Sequence, residues 1–270
     1  MRAAAIAALV AGLHPAAPVA AAGDATTIAI AGSTTLQPLL KEAADAYAGQ
    51  RPEVTITVAG GGSRPALALL NQKQIDMAAS DVEPSGDELV DHRVAIIGFA
   101  FAVNAASGVT SLTRNQLRDV LSGKVANYKQ VGGNDVAVIV INRPATSGIR
   151  ALIQERIMRG RPIVDSGPDE EGTSTLVSQI ASTRGAIGYG TFSGLRQSGL
   201  TLVSIDGVEP TDENVTKGRY PLFAYEHLVT NGAATREESR FLAFLETNRG
   251  LLSKYGYIPV QDMQVIPYGE

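Results

Sequence analysis

The chain has 270 residues, of which 44% are hydrophobic and 19% charged, enough for a globular core in one or two domains. Its net charge of −4 creates no basic field for nucleic acid or an anionic membrane, so any anion site must be built from local donors. Because cysteine is absent, disulfides, thiolate metal sites, a thiol nucleophile and lipid attachment through an N-terminal cysteine are excluded.

The first 22 residues differ in composition from the rest of the chain. Arg2 is followed by the apolar stretch Ala3–Leu13, and the segment ends in the small residues Ala20–Ala22. A basic start, a short apolar region and an Ala-x-Ala ending are typical of a secretory signal peptide. We therefore predict a signal peptide over residues 1–22 that is cleaved near Ala22; the alternative is a disordered leader rich in Ala and Pro.

From Thr26 onward, strand and helix patterns alternate. The spacing of apolar residues predicts strands at Thr27–Ala31, Val54–Val58 and Ile75–Ala79, with helices at Leu36–Tyr47 and Pro65–Leu70 between them. This βαβαβ order predicts a mostly parallel sheet covered by helices.

Two long apolar runs, Val94–Val103 and Tyr220–Val229, are candidate crossover strands between two lobes. Between them a second α/β unit is predicted, with strands at Val136–Ile141, Ala186–Tyr189 and Thr201–Ile205 and helices at Asn115–Leu121, Gly148–Met158 and Thr173–Ser182. Thr113 and Ser147 are good N-caps for the first two of these helices. Glu237–Leu245 and Gly250–Tyr255 are predicted C-terminal helices. Two crossover strands imply two lobes with a cleft between them.

Three turns rich in Gly, Ser and Thr stand where a predicted strand meets a helix: Gly32–Thr35, Gly60–Ser63 and Thr146–Gly148. The first N–H groups of a helix lack intrahelical partners and lie at the positive end of the helix dipole. Glycine lets the backbone approach a ligand closely, and hydroxyl groups add donors. Arg143 adds a planar fork suited to oxyanions. Together these features predict a pocket for a small oxyanion.

Asp81 is the unusual member of this set because a carboxylate repels an anion unless a proton lies between them. HPO4²⁻ and H2PO4⁻ carry such a proton, whereas sulfate does not. An ionised Asp81 would accept that hydrogen and would face sulfate with no donor, which is a strong form of rejection.

Each of these residues alone has an ordinary structural interpretation. A Ser or Thr at a helix start is usually a cap, Gly60–Gly62 a flexible turn, Asp81 a turn residue and Arg143 a surface arginine. Other chemistries fit less well, because the chain has no P-loop, its histidines lack metal-ligand spacing, and Ser147 lacks the nucleophile elbow. The acids Asp169–Glu171 are interpreted as a solvated charge run.

The ordered motifs resemble those of the phosphate-binding proteins of ABC transporters. Similarity extends from Thr26 to Asp262, and no single motif is specific by itself. The matching segments are Ala31–Leu39, Gly60–Ser63, Ile75–Asp81, Leu112–Gly123, Asn127–Tyr128, Val131–Gly133, Arg143–Arg150 as R-x-x-x-S-G-x-R, Gly185–Tyr189 and Tyr220–Leu222.

This resemblance implies a type II periplasmic binding protein fold of the α/β class, with two α/β lobes, a cleft and two crossover strands. We expect lobe 1 to comprise residues 23–103 plus 220–270 and lobe 2 residues 104–219. The implied ligand is inorganic phosphate, and the implied partner is an ABC transporter permease with its ATPase. The residues expected to bind phosphate are Ser33, Thr34, Thr35, Gly62, Ser63, Asp81, Arg143, Ser147, Gly148 and Ile149.

Two positions depart from the family pattern. Ile149 stands where threonine is common, so its N–H can still donate but a hydroxyl is lost. Arg64 follows Ser63 where small residues are usual, and we expect its side chain to face solvent.

From the residues themselves we expect no metal, no nucleic-acid partner and no enzymatic activity, and the absence of a lipobox cysteine favours a free periplasmic protein. We also expect a monomer without a cofactor. A secreted phosphate-sensing or adhesion module of the same fold, or a receptor for another oxyanion, is the alternative. A secreted phosphatase would need a nucleophile–base pair or metal ligands, and the sequence offers neither.

Overall fold

The structure is a computed structural model that describes residues 26–196 and 198–264. The predicted signal peptide, residues 1–22, lies outside the described residues.

The N-terminal part of the chain forms the predicted βαβαβ unit. Its elements are β1 (Thr26–Gly32), α1 (Gln37–Ala48), β2 (Val54–Ala59), α2 (Ser63–Asn71) and β3 (Met77–Ser80). β1 pairs in parallel with both β2 and β3. The predicted helical spacing of α1 is confirmed, since the side chains it buries are Leu39, Leu40, Ala43, Ala44 and Tyr47.

Two long strands connect the halves of the molecule. β4 (Leu89–Val103) pairs over Leu89–Gly98 with β9 (Phe223–Asn231), and its last five residues pair with β7 (Ala186–Thr191) and β8 (Thr201–Ile205). β9 in turn lies between β3 and β4. All of these pairings are antiparallel, so the predicted parallel arrangement holds only within each α/β unit. The final ten residues of β4 are buried, as expected for a crossover strand.

The second unit contains β5 (Ser111–Leu112), β6 (Ile139–Val140), and the strands β7 and β8. Its helices are α3 (Arg114–Leu121), α4 (Gly148–Arg156), α5 (Thr173–Ser182), α6 (Phe192–Arg196) and α7 (Asp212–Thr216), and α8 (Arg236–Thr247) and α9 (Arg249–Lys254) follow β9. Thr113 caps α3 with a full capping box, and Ser147 caps α4.

β6 is shorter than the strand predicted over Val136–Ile141. The N–H of Val136 donates to the carbonyl of Asn134, and that of Val138 donates to the carbonyl of Ala126. These residues therefore bond to the preceding loop, and only the end of the β-branched run reaches β7.

One continuous apolar core runs through both units and the crossover strands. None of the helices within residues 26–196 and 198–264 is long and apolar enough to cross a membrane.

Candidate functional site

The turns after β1, β2 and β3 meet at one edge of the first sheet. Ser33 directly follows β1, Asp81 directly follows β3, and Ser63 opens α2. The N–H of Ser33 donates to the carbonyl of Ala79 at 2.9 Å, and the N–H of Gly62 donates to the carbonyl of Gly32 at 2.9 Å. Parallel strands bring their carboxyl ends to the same edge, where ligands bind in open α/β sheets.

Asp81 lies at the centre of this edge with only 3% of its surface exposed. Its carboxylate accepts hydrogen bonds from the hydroxyl groups of Ser33 and Ser63, the latter at 3.2 Å. The N–H of Asp81 donates to Oγ of Ser63 at 3.0 Å, which fixes that hydroxyl. Within the described ranges no cation lies within 4.0 Å of the carboxylate. A buried carboxylate is thus held by neutral donors.

Ser33 links the start of α1 to this carboxylate. Its Oγ accepts from the N–H groups of Thr35 (3.0 Å) and Leu36 (3.2 Å), while its single proton goes to Asp81. Ser33 therefore positions Asp81, and its hydroxyl proton already has an acceptor. Thr34 is exposed and Thr35 half-buried. The carbonyl of Thr35 accepts from the hydroxyl of Tyr257 at 2.8 Å, which anchors the turn.

Arg143, which lies beyond β6, is the buried cation of the site, with 3% of its surface exposed. Its Nη2 donates to the carbonyl of Glu171 at 2.6 Å. No acceptor among the described residues lies within hydrogen-bond distance of its Nε or Nη1. Arg150 holds the Arg143 carbonyl through Nη1 at 2.6 Å. A fixed guanidinium that keeps two buried donors free is suited to an anion.

Burial and charge act on both ionisable groups of the site. Burial raises the pKa of Asp81, and hydrogen bonds together with the charge of Arg143 oppose that rise. Burial also lowers the pKa of the Arg143 guanidinium, while Tyr189 and Asp81 act in the opposite direction. Since arginine remains charged in proteins, Arg143 favours the ionised form of Asp81, although the two side chains form no ion pair within 4.0 Å.

The third turn lies directly against the first two. A Cβ on Gly148 would overlap the carboxylate of Asp81 and would lie 2.7 Å from Oγ of Ser63. Gly62 has a φ of 90°, and a Cβ there would lie 2.7 Å from the carbonyl oxygen of Thr146. Only glycine permits this close approach of the two halves.

Ser147 and Ile149 contribute to the site mainly through their place at the start of α4. Oγ of Ser147 accepts from the N–H of Arg150 at 3.4 Å, so its hydroxyl proton remains available. The side chain of Ile149 is buried in the apolar core. Its backbone N–H, with that of Gly148, precedes the first hydrogen bond within the helix.

Two contributions to the site were missed by reasoning from the sequence. The acidic loop Asp169–Glu171 is not simply solvated, because Glu171 holds Arg143 through its carbonyl and Asp169 pairs with Arg150 at 3.3 Å. Glu226 on β9 is fully buried beside Asp81. The sequence does carry one signal for Glu226, because an acidic residue is unusual inside an apolar run such as Tyr220–Val229. Arg64, by contrast, is exposed as expected.

Within residues 26–196 and 198–264 no group of three or more His, Cys, Asp and Glu side chains is arranged to hold a metal ion. The donors of this site, which are N–H groups, hydroxyl groups and a guanidinium, are those that bind anions.

Comparison with known proteins agrees with this geometry. A family profile described as the PBP superfamily domain matches residues 17–248. The phosphate-binding protein PstS of Bacillus subtilis is 38% identical over 248 residues, which cover 88% of this chain and 82% of that protein. The PstS of Borreliella burgdorferi is 25% identical over 258 residues, covering 87% of this chain and 90% of its own length.

Solved structures show the same fold. An ABC-type phosphate transport receptor from Vibrio cholerae matches with a TM-score of 0.76 and 28% identity, over 86% of this chain and 99% of that one. A protein from Clostridium perfringens, provisionally described as a phosphate ABC transporter substrate-binding protein with bound phosphate, matches with a TM-score of 0.78 and 27% identity, over 87% of this chain and 100% of that one. The fold is thus the expected type II periplasmic binding protein fold. The chain belongs to the PBP superfamily and, within it, to the PstS phosphate-binding proteins.

Proposed function

We propose that this chain is a receptor that captures inorganic phosphate between two lobes and delivers it to the permease of an ABC transporter. The observation that carries the proposal is Arg143, whose Nε and Nη1 are buried without an acceptor in the described part of the chain and whose charge acts on the buried carboxyl group of Asp81. The relatives named above bind phosphate or serve phosphate transport by their descriptions, which supports the same ligand.

The proposed phosphate shell draws on both halves of the site. Thr34 and Thr35 would donate from the first turn and the N–H of Ser63 would donate from the second, where Gly62 lets the backbone approach the ligand closely. Arg143, Ser147 and the N–H groups of Gly148 and Ile149 would donate from the other half. Asp81 would accept the hydrogen of the phosphate, and Ser33 would hold Asp81 in place. A shell of this kind replaces the water around the anion, which favours selectivity over mere attraction.

Calorimetry with phosphate and sulfate at matched ionic strength tests the ligand. We expect heat of binding with phosphate and none with sulfate, because sulfate has no hydrogen for Asp81. Equal affinity for both anions, or no binding of phosphate, would contradict the proposal and favour a receptor for another oxyanion.

Cellular location and partner are also part of the proposal. We infer an exported, monomeric protein whose signal peptide is removed near Ala22 and which acts in the periplasm with a permease and its ATPase. The alternative is a secreted phosphate-sensing or adhesion module of the same fold. Phosphate-stimulated ATP hydrolysis by a phosphate ABC transporter of the same organism, reconstituted in vesicles with this protein, would separate transport from sensing.

A further inference from the structure

A second carboxyl group, that of Glu226, is paired with Asp81 across the sheet. β3 and β9 are antiparallel, with Ser80 opposite His227. The next positions outward are therefore Asp81 and Glu226, which stand opposite each other with their side chains on the same face. The side chain of Glu226 is fully buried. Two carboxyl groups thus share one buried environment.

The hydrogen bonding of Glu226 indicates where the proton of this pair resides. Neither of its carboxyl oxygens has a donor among the described residues. An ionised carboxylate can only accept, so an ionised Glu226 would be buried without compensation. A proton on Glu226 turns the contact into a hydrogen bond donated to Asp81. Burial first, and then the charge of Asp81, raise the pKa of Glu226 well above its ordinary value. The hydrogen bond between the two groups opposes the rise that burial causes in the pKa of Asp81.

The other groups that face the pair leave this assignment unchanged. On β4 the residue opposite Glu226 is Ala95, which cannot titrate. Burial, followed by the charges of Glu226 and Asp81, raises the pKa of Tyr257 well above its ordinary value, so that phenol stays neutral. His227 follows Glu226 on β9 and lies on the other face, with its Nδ1 2.7 Å from Oδ1 of Asp91. Within residues 26–196 and 198–264, Arg143 is the one cation whose charge acts on Asp81.

We propose that Glu226 is a positioning residue that carries the proton of a carboxyl–carboxylate pair and thereby keeps Asp81 ionised as the acceptor for phosphate. Asp81 then accepts from three neutral donors: Ser33, Ser63 and Glu226. Together they stabilise its negative charge and leave accepting capacity for the hydrogen of the ligand. If Glu226 also ionised, two adjacent carboxylates would repel the anion. This inference rests on the proposed role of Asp81 in phosphate binding.

Two substitutions separate the donor role of Glu226 from its packing role. Glu226→Gln keeps an N–H donor, whereas Glu226→Leu keeps the volume and removes the donor. By calorimetry, we expect Glu226→Gln to bind phosphate within about threefold of the unsubstituted protein. Glu226→Leu should bind about tenfold or more weakly, because a hydrogen bond to a charged group is lost. As the pH is lowered, Glu226→Leu should also lose phosphate binding at a higher pH than the unsubstituted protein, because Asp81 without this donor takes up a proton more readily. Equal affinities and pH profiles in the two variants, whether both kept or both lost, would overturn the proposal.

Infrared spectroscopy of the unliganded protein at neutral pH provides a readout that does not depend on phosphate. A carbonyl band of a protonated carboxylic acid should be present in the unsubstituted protein and missing in Glu226→Gln. Absence of the band, or its persistence in Glu226→Gln, would overturn the proposal even if Glu226→Leu fails to fold. If the band is present as expected but phosphate does not bind, the carboxyl pair stands and the proposed function fails.

Discussion

Asp81 combines a high cost of burial with a proposed role, accepting the hydrogen of phosphate, that requires a carboxylate. It is buried at the edge of the sheet, where its neighbours are the hydroxyl groups of Ser33 and Ser63 and the carboxyl group of Glu226, and no cation among the described residues contacts it. Such an arrangement binds a protonated anion well but leaves the empty receptor with a charge that burial disfavours. Function and stability are therefore expected to oppose each other at this residue.

The first prediction concerns Asp81→Asn. Because burial raises the pKa of Asp81, the folded state holds this proton more tightly than the unfolded chain, and ionisation costs stability as pH rises above the ordinary pKa of an aspartate. We expect the unliganded variant to gain about 1 kcal/mol or more in unfolding free energy at neutral pH, with the gain fading below that value. Phosphate affinity should fall, and the ratio of phosphate affinity to sulfate affinity should decrease. Thermal melts across pH and calorimetry measure both.

Asp45→Asn, on the exposed face of α1, is the matched control for that substitution. It should leave phosphate affinity unchanged. An unchanged ratio of phosphate to sulfate affinity in Asp81→Asn would remove Asp81 from its proposed role.

The second prediction concerns the free donors of Arg143. Arg143→Lys keeps the charge but removes the planar fork, so we expect phosphate affinity to fall by about tenfold or more. Arg249→Lys is the control, because Arg249 forms an exposed ion pair with Asp262. Calorimetry of both variants checks this, and equal affinities would show that the charge of Arg143 suffices.

At the scale of elements, the start of α4 decides how closely the two halves of the site approach. Gly148 is the point of contact with Asp81 and Ser63, and the helix presents its free N–H groups there. The side chain of Ile149 is buried in the apolar core, so this position can offer the site a backbone N–H but no side-chain donor.

The third prediction is that Gly148→Ala abolishes tight phosphate binding. The added methyl group would overlap the carboxylate of Asp81 and push α4 away from the first two turns. Gly250→Ala in α9 is the control, because its added methyl would meet nothing closer than 4.0 Å. That control should keep phosphate binding and gain about 0.5–1 kcal/mol in unfolding free energy. Calorimetry and thermal melts test both variants, and full phosphate affinity in Gly148→Ala would contradict this view of the contact.

Most elements could be predicted from the sequence because their signals are local. The apolar spacing of α1, the cap of α3 at Thr113 and the turns that follow β1 and β2 are each written in a short segment. The start of β6 could not be predicted, because the backbone N–H groups of Val136 and Val138 donate hydrogen bonds to a loop earlier in the chain. The antiparallel pairing of β4 with β9 joins residues more than 120 positions apart, which no local pattern reveals.

For the whole molecule, the passage of β4 and β9 between the two units gives a physical basis for lobe closure on a ligand. The lobe limits, residues 23–103 plus 220–270 and residues 104–219, remain a prediction. A ligand bound by donors from both lobes should favour the closed arrangement and stabilise the fold.

The fourth prediction is that phosphate raises the melting temperature of this protein in proportion to the logarithm of its concentration. At a phosphate concentration one hundred times Kd, linkage gives about 2.7 kcal/mol of added stability. Sulfate at the same concentration should add almost none. Small-angle scattering should also show a more compact particle with phosphate, and Gly148→Ala should not compact. Equal stabilisation by the two anions would contradict the proposed selectivity.

The alternation of strands and helices, the three donor-rich turns and the two charged candidates Asp81 and Arg143 can all be predicted from residue type and spacing. These features depend only on residues that are close together along the chain. Three contacts become visible only in the folded chain: the proton of Ser33 goes to Asp81, Glu171 holds Arg143, and Glu226 stands opposite Asp81. These contacts depend on strand register and on burial, which arise when distant segments pack together.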